Sequence, residues 1–323
     1  DRPITGIATT GNGGFGVAVV KQVKPRINGI TMTGDGAGGL RVSRSEDATV
    51  TDITAVDQPI GVLTHAGATN ATLDQLRITN SRRGVVVDKS VTGVTLRGSA
   101  IEGSAVVAVG VAGKHVAISD VGVKDSGTGV RIERGSVDIS ATNLSVTGGK
   151  DGVISTPGTT DLKLQNLQTD GVSNTAVRTF TPDAAITGGR IIGSSTGIDT
   201  GAATTITGTT ITQVDEGIRA RSTDLVKADN VDINAITAGI TVAEGSPFQL
   251  TASRVDALEA VHGVVQQRPG DNELSLPPLN LLGAIGVPLI LLALVLEQVN
   301  AFRQRSVGNV RRRQPPAIAA GAG

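Results

Sequence analysis

Aliphatic residues recur along this chain in short alternating runs, separated by small and polar residues. One phrase, a small residue followed by an aliphatic one and then alternation, occurs twelve times. It reads Gly16-Val17, Gly39-Leu40, Gly61-Val62, Gly84-Val85, Ala105-Val106 and Gly129-Val130. It continues as Gly152-Val153, Ala176-Val177, Gly197-Ile198, Gly217-Ile218, Gly239-Ile240 and Gly263-Val264. Successive intervals lie between 20 and 24 residues, and eleven of the twelve aliphatic positions are β-branched. A second phrase sits about half a repeat away, as in 94–101, 137–144, 184–191 and 204–211. Each has apolar residues two apart and another five further on. The pattern predicts two or three short strands per repeat, with Gly, Ser, Thr, Asn and Asp at the turns. No stretch of the repeats holds a helical period.

Strands of three to five residues do not stand alone. Stacking each repeat on the next, about 4.8 Å away, pairs every strand in parallel and buries a continuous aliphatic column. Twelve rungs give a stacked length of roughly 53 Å. The prediction is an all-β, single-stranded solenoid of about twelve rungs over residues 1–273. The rung of about 22 residues resembles the right-handed parallel β-helix family, the pectin-lyase-like fold. A left-handed coil would show a hexapeptide period, which is absent. The resemblance covers about 270 residues and implies a right-handed coil. It says little about activity, because the family includes lyases, hydrolases, epimerases, tailspikes, adhesins and accessory proteins.

Composition agrees with a thin core. Gly is 43 of 323 residues, aromatics are four Phe with no Tyr or Trp, and Cys is absent. A narrow coil favours β-branched and small residues over rings. The missing Cys excludes a disulfide scaffold, a Cys-ligated zinc site and a thiol nucleophile. With 29 bases and 29 acids and few rings for base stacking, no nucleic-acid partner is expected. No cofactor and no metal-ligand spacing is read.

Residues 274–296 carry no charge, with an apolar centre at Leu281–Leu296. At 1.5 Å per residue the stretch is long enough to cross a hydrocarbon layer of about 30 Å. A transmembrane helix is expected over 274–300, in the bilayer through Leu279–Val299 and kinked at Pro288. Arg303, Arg305, Arg311, Arg312 and Arg313 follow it, so the positive-inside rule places 301–323 in the cytoplasm as a basic, disordered tail. The solenoid then lies outside the cell membrane. Its residues 1–276 hold 24 bases and 28 acids, so the overall neutrality is a sum of two parts. Gly283, Ala284 and Gly286 give the span a small-residue face for a membrane partner. The chain begins at Asp1 rather than Met, which leaves room for a preceding segment such as a signal peptide.

Function must sit on outward side chains. The residue after each inward aliphatic forms a predicted column of Ala18, Arg41, Leu63, Val86, Val107, Arg131, Ile154, Arg178, Asp199, Arg219, Thr241 and Val265. Two residues on, His65, Asp88, Glu133, Phe180 and Arg221 share the face. The candidate ligand site is Arg131, Glu133, Arg178, Phe180, Asp199, Arg219 and Arg221. Arginine forks suit carboxylates or sugar hydroxyls, Asp199 would accept from hydroxyls, and Phe180 offers an apolar platform. The alternative is a solvated ion ladder.

Catalytic signals are weaker. Glycoside hydrolysis needs two placed carboxylates, and the sequence has no Asp-Asp, Asp-x-Asp or Asp-Pro-His. Asp256, Glu259 and His262 form the best acid–base set, and they also suit a polar cap on the last rung. His115 reads as a turn residue, and Asp224, Asp229 and Asp232 as solvated. Threonine pairs such as Thr49 and Thr51, or Thr205 and Thr207, do not share one column across rungs. The leading expectation is a membrane-anchored, non-catalytic polysaccharide-binding or scaffold subunit beside a glycan synthase or exporter. A tethered lyase, hydrolase or epimerase is the alternative, and an adhesin or structural stalk the second.

Overall fold

A computed structural model describes residues 3–267 and 272–276. Its 33 elements are all strands, joined in one sheet that winds through the molecule. One rung consists of Thr128–Ile132, Val137–Thr142 and Ser145–Thr147. It pairs in parallel with Asp151–Ser155, Thr160–Gln165 and Gln168–Asp170 of the next. The described residues form an all-β parallel solenoid of about twelve rungs. Among the described residues no helix is long and apolar enough to cross a membrane. The expected span and basic tail, residues 277–323, lie outside the described residues. The last strand, Glu273–Ser275, pairs with Arg254–Asp256 and so carries the solenoid through Leu274.

Three inward columns make the core. Val130, Val153, Val177 and Ile198 follow one another in register on the first. Leu73, Leu96 and Ile118 stack on the second, and Ile78, Ile101, Val123 and Val146 on the third. All are buried. The coil is less restrictive than its composition suggests, because Phe248 is fully buried on Val226.

The small residue before each inward aliphatic has a steric cause. A Cβ on Gly197 would stand 2.6 Å from the Gly217 carbonyl oxygen and 2.7 Å from Ile211 Cγ2. A second constraint explains the Gly, Asn and Asp at the turns. The turn after the second strand passes through positive φ on every rung, for example at Asp120, Asn143, Asn166 and Gly188. Asn and Asp tolerate this left-handed conformation and Gly adopts it freely. Their side chains also form a ladder: the Asn143 amide donates to Asp120 at 2.9 Å, and Asn166 to Asn143 at 3.3 Å.

Two rungs differ in register from the sequence expectation. Val85 pairs with Val109, and Val109 with Val130. The fifth phrase is therefore Ala108-Val109, not Ala105-Val106, and Gly110 rather than Val107 takes the outward position. Val107 is buried and Val106 exposed. At the last rung Ile240 pairs with Val261 and Thr241 with His262. Ala260-Val261 is the phrase there, not Gly263-Val264, and His262 replaces Val265 in the column. Val264 is 81% exposed. In both places two small–aliphatic pairs lie three residues apart, and only cross-rung pairing selects between them.

Candidate functional site

Val177, Ile198 and Ile218 face inward, so the residues after them face out. Register sets Arg178 beside Asp199, and Asp199 beside Arg219. The expected stack is present in the backbone, and the side chains refine it. Arg178 Nε donates to Asp199 Oδ2 at 3.1 Å. From the following rung, Arg221 Nη2 reaches Oδ1 at 2.7 Å and Oδ2 at 2.6 Å. The Asp199 side chain is only 2% exposed, against 30% for Arg178 and 47% for Arg221. Asp199 is thus a buried hub beneath two guanidiniums. It was expected to accept from ligand hydroxyls, but both of its oxygens are already occupied by arginine.

Arg219 turns away from Asp199 and pairs with Glu216 on its own strand. The Glu216 hydrogen bond, joined by the charges of Glu216 and Asp199, outweighs burial and raises Arg219 above its ordinary value. Thr175 Oγ1 accepts from Arg178 Nη2 at 2.9 Å and fixes that side chain further. Phe180 is half-buried and lies against Gly201, where an added Cβ would stand 2.5 Å from the ring. Glu216, Thr175 and Gly201 were not singled out in the sequence. The spacing of three between Glu216 and Arg219 was the available signal.

Arg131 and Glu133 form a pair of their own at 3.1 Å. They stand two rungs from Arg178, with Ile154 between them in the column. The seven candidates therefore divide. Arg178, Phe180, Asp199, Arg219 and Arg221 form one cluster, and Arg131 with Glu133 a separate pair. The cluster presents three partly exposed guanidiniums over two largely buried carboxylates. Each guanidinium has five N–H donors, and several remain free to meet an incoming carboxylate, sulfate or phosphate.

Each histidine sits against a carboxylate. His65 Nδ1 is 3.5 Å from Asp88, as the rung alignment anticipated. Burial works against the Asp88 charge, yet the Ser90 N–H and hydroxyl and the His65 ring hold its carboxyl below the ordinary value. His262 meets Glu259 at 2.8 Å. Asp256 does not join them: it is buried and bonded to Arg254 and Ser275. The expected acid–base set is therefore not assembled. Asp224, Asp229 and Asp232 are exposed. Thr51 pairs with Asp74 and Thr205 with Lys227, so the named threonines do not continue as one column, but Thr49, Thr72 and Thr95 are in register. Thr72 and Thr95 had not been aligned with Thr49 in the sequence.

No protein-family model matches the chain, and no curated protein matches it in sequence. Solved structures do resemble it. PfbA, a surface adhesin of Streptococcus pneumoniae, is 12% identical with a TM-score of 0.52 over 75% of this chain and 72% of that one. A mutant tailspike protein of E. coli bacteriophage HK620, in complex with a pentasaccharide, is 10% identical with a TM-score of 0.53 over 75% of this chain and 60% of that one. The A-module of an Azotobacter vinelandii mannuronan C-5 epimerase is 13% identical with a TM-score of 0.50 over 85% of this chain and 90% of that one. At such identities the likeness is one of fold: a parallel β-helix.

Proposed function

We propose that this β-helix binds an acidic polysaccharide on the Arg178–Asp199–Arg219–Arg221 face, as a non-catalytic binding or scaffold subunit. The observation that carries the reading is the arrangement of charge. Both carboxylates are held under arginine, so the exposed atoms of the face are cationic. Phe180 adds an apolar edge for a sugar ring. The same engagement argues against glycoside hydrolysis there, because neither Asp199 nor Glu216 is free to act as acid or nucleophile. The similar folds include a tailspike complexed with a pentasaccharide, a mannuronan epimerase and a surface adhesin, which supports a glycan as the ligand.

In this reading the apolar stretch at 279–299 anchors the chain in a cell membrane, with the solenoid outside and a glycan synthase or exporter as neighbour. Carbonate washing of membranes tests the anchor. The full chain stays with the membrane and a chain ending at Leu276 is released; release of both ends the idea. The ligand is tested by titrating oligogalacturonate into the full chain in mild detergent. Binding that weakens with added salt and falls on Arg219→Ala is the expected result. Affinity unchanged by Arg219→Ala removes the site.

A further inference from the structure

A different face gathers a column of polar turn residues. Asp47, Asn70, Gly93, His115 and Asp138 occupy one turn position on five successive rungs, all at positive φ. The larger residues pair off on either side of the glycine. Asn70 donates its amide to Asp47 at 3.1 Å, and His115 Nδ1 meets Asp138 at 2.9 Å. Gly93 between them carries no side chain and forms a notch that Asn70 already narrows, its Oδ1 lying 2.5 Å from where a Cβ would stand. The notch opens into a cavity of about 380 Å³ whose lining includes Thr72, Thr95 and Ser140.

The chemistry of the lining is specific. A carboxylate only accepts hydrogen bonds, so His115 donates to Asp138 from Nδ1. A neutral ring with that tautomer carries its lone pair on Nε2, which has no partner among the described residues. Asn70 uses its N–H on Asp47 and leaves Oδ1 at the notch. Two acceptors thus face a gap edged by the hydroxyls of Thr72, Thr95 and Ser140, which can donate or accept. No arginine or lysine lines the cavity, and Asp138 stands in its wall. Such a set disfavours an anion and suits an uncharged, hydroxyl-rich ring. Thr72, Thr95, Ala117 and Ser140 continue as a low column along the solenoid axis, at about 4.8 Å per rung.

We propose that this groove binds neutral polysaccharide, with the chain running along the Thr72–Ser140 column and a sugar hydroxyl donating to Asn70 Oδ1 at the notch. The inference is independent of the arginine face. The test presents cellohexaose, laminarihexaose, maltohexaose and mannohexaose to the full chain in calorimetric titrations. At least one binds, and Asn70→Ala and His115→Ala each weaken it by about tenfold or more, the loss of one good hydrogen bond. Both residues are exposed, and thermal unfolding confirms that the variants keep the fold. Arg219→Ala leaves the neutral probe unaffected. If none of the four binds, or if the Asn70→Ala/His115→Ala double variant binds as well as the parent, the proposal is overturned. Oligogalacturonate reports on the arginine face alone, so the two readings fail separately.

Discussion

Arg221 holds Asp199 from one rung away, with Nη2 2.7 Å and 2.6 Å from its two carboxylate oxygens. The pair is unequal: the acid is buried and the base half-exposed. Asp199 therefore supports the arginines and does not itself face a ligand. Asp199→Ala should lower stability by about 1–2 kcal/mol, below the usual loss for a broken buried pair, because the freed guanidiniums can turn to water. Oligogalacturonate affinity should hold or rise. Urea denaturation and titration of the same variant check both, and a folded variant that no longer binds would show Asp199 to be a contact residue.

Arg178 and Arg219 separate by the same logic. Arg178→Ala removes one of two partners from a buried carboxylate, so stability falls along with binding, by about 1–2 kcal/mol. Arg219 is the partner of the largely buried Glu216, so Arg219→Ala strands that carboxylate and should cost about 2–3 kcal/mol as well as weakening the acidic probe. A larger stability loss at Arg178 than at Arg219 would show that Arg221 does not hold Asp199 by itself.

Much of the solenoid was legible because its physics is local and repeats. An inward aliphatic after a small residue, twelve times over, identifies a rung wherever the interval holds near 22 residues. The reading failed where two candidate phrases lay three residues apart, as at Ala105 and Ala108, since pairing between rungs decides there. The site was legible as a column and not as a set of contacts. Sequence placed Arg178, Asp199 and Arg219 in line, but side-chain length decides who pairs. Arg221 reaches Asp199 from the adjoining column, and Arg219 finds Glu216 nearer. His115 was read as a turn residue, but its pairing with Asp138 was missed because turn residues show no alternation; only the constant left-handed turn brings them together.

Two glycines four residues apart in the chain, in the same rung, should respond differently. Gly197→Ala drives a Cβ against the Gly217 backbone and Ile211, neither of which can yield freely, and overpacking of this kind destabilises by about 1–3 kcal/mol. At the site, Gly201→Ala meets only the Phe180 ring, which can rotate. Stability there should change by less than about 1 kcal/mol, while the displaced ring weakens glycan binding. Thermal unfolding of both variants decides. Equal losses would mean that Phe180 is as firmly held as the rung backbone.

Asp35 gives the solenoid a pH dependence of definite sign. It is buried at the N-terminal end, between Asn12 of one rung and Gln58 of another. Burial opposes its charge, but it accepts from the Asn12 N–H at 2.9 Å, the Asn12 amide at 2.7 Å, Thr9 at 2.9 Å and Gln58 at 3.2 Å. These donors hold the carboxyl below its ordinary value of 3.8. Its stabilisation is therefore fully present above that value and is lost as pH falls through the lower value of the folded state. An amide cannot accept at both atoms, so Asp35→Asn sets an N–H₂ against donors. It should destabilise by about 2–3 kcal/mol at neutral pH. The gap between parent and variant should then narrow on acidification, as the parent carboxyl takes up a proton and itself loses an acceptor. Denaturant unfolding of both proteins from about pH 7 to about pH 2 measures that gap. A gap that stays constant across the range would mean that Asp35 carries no charge in the folded chain.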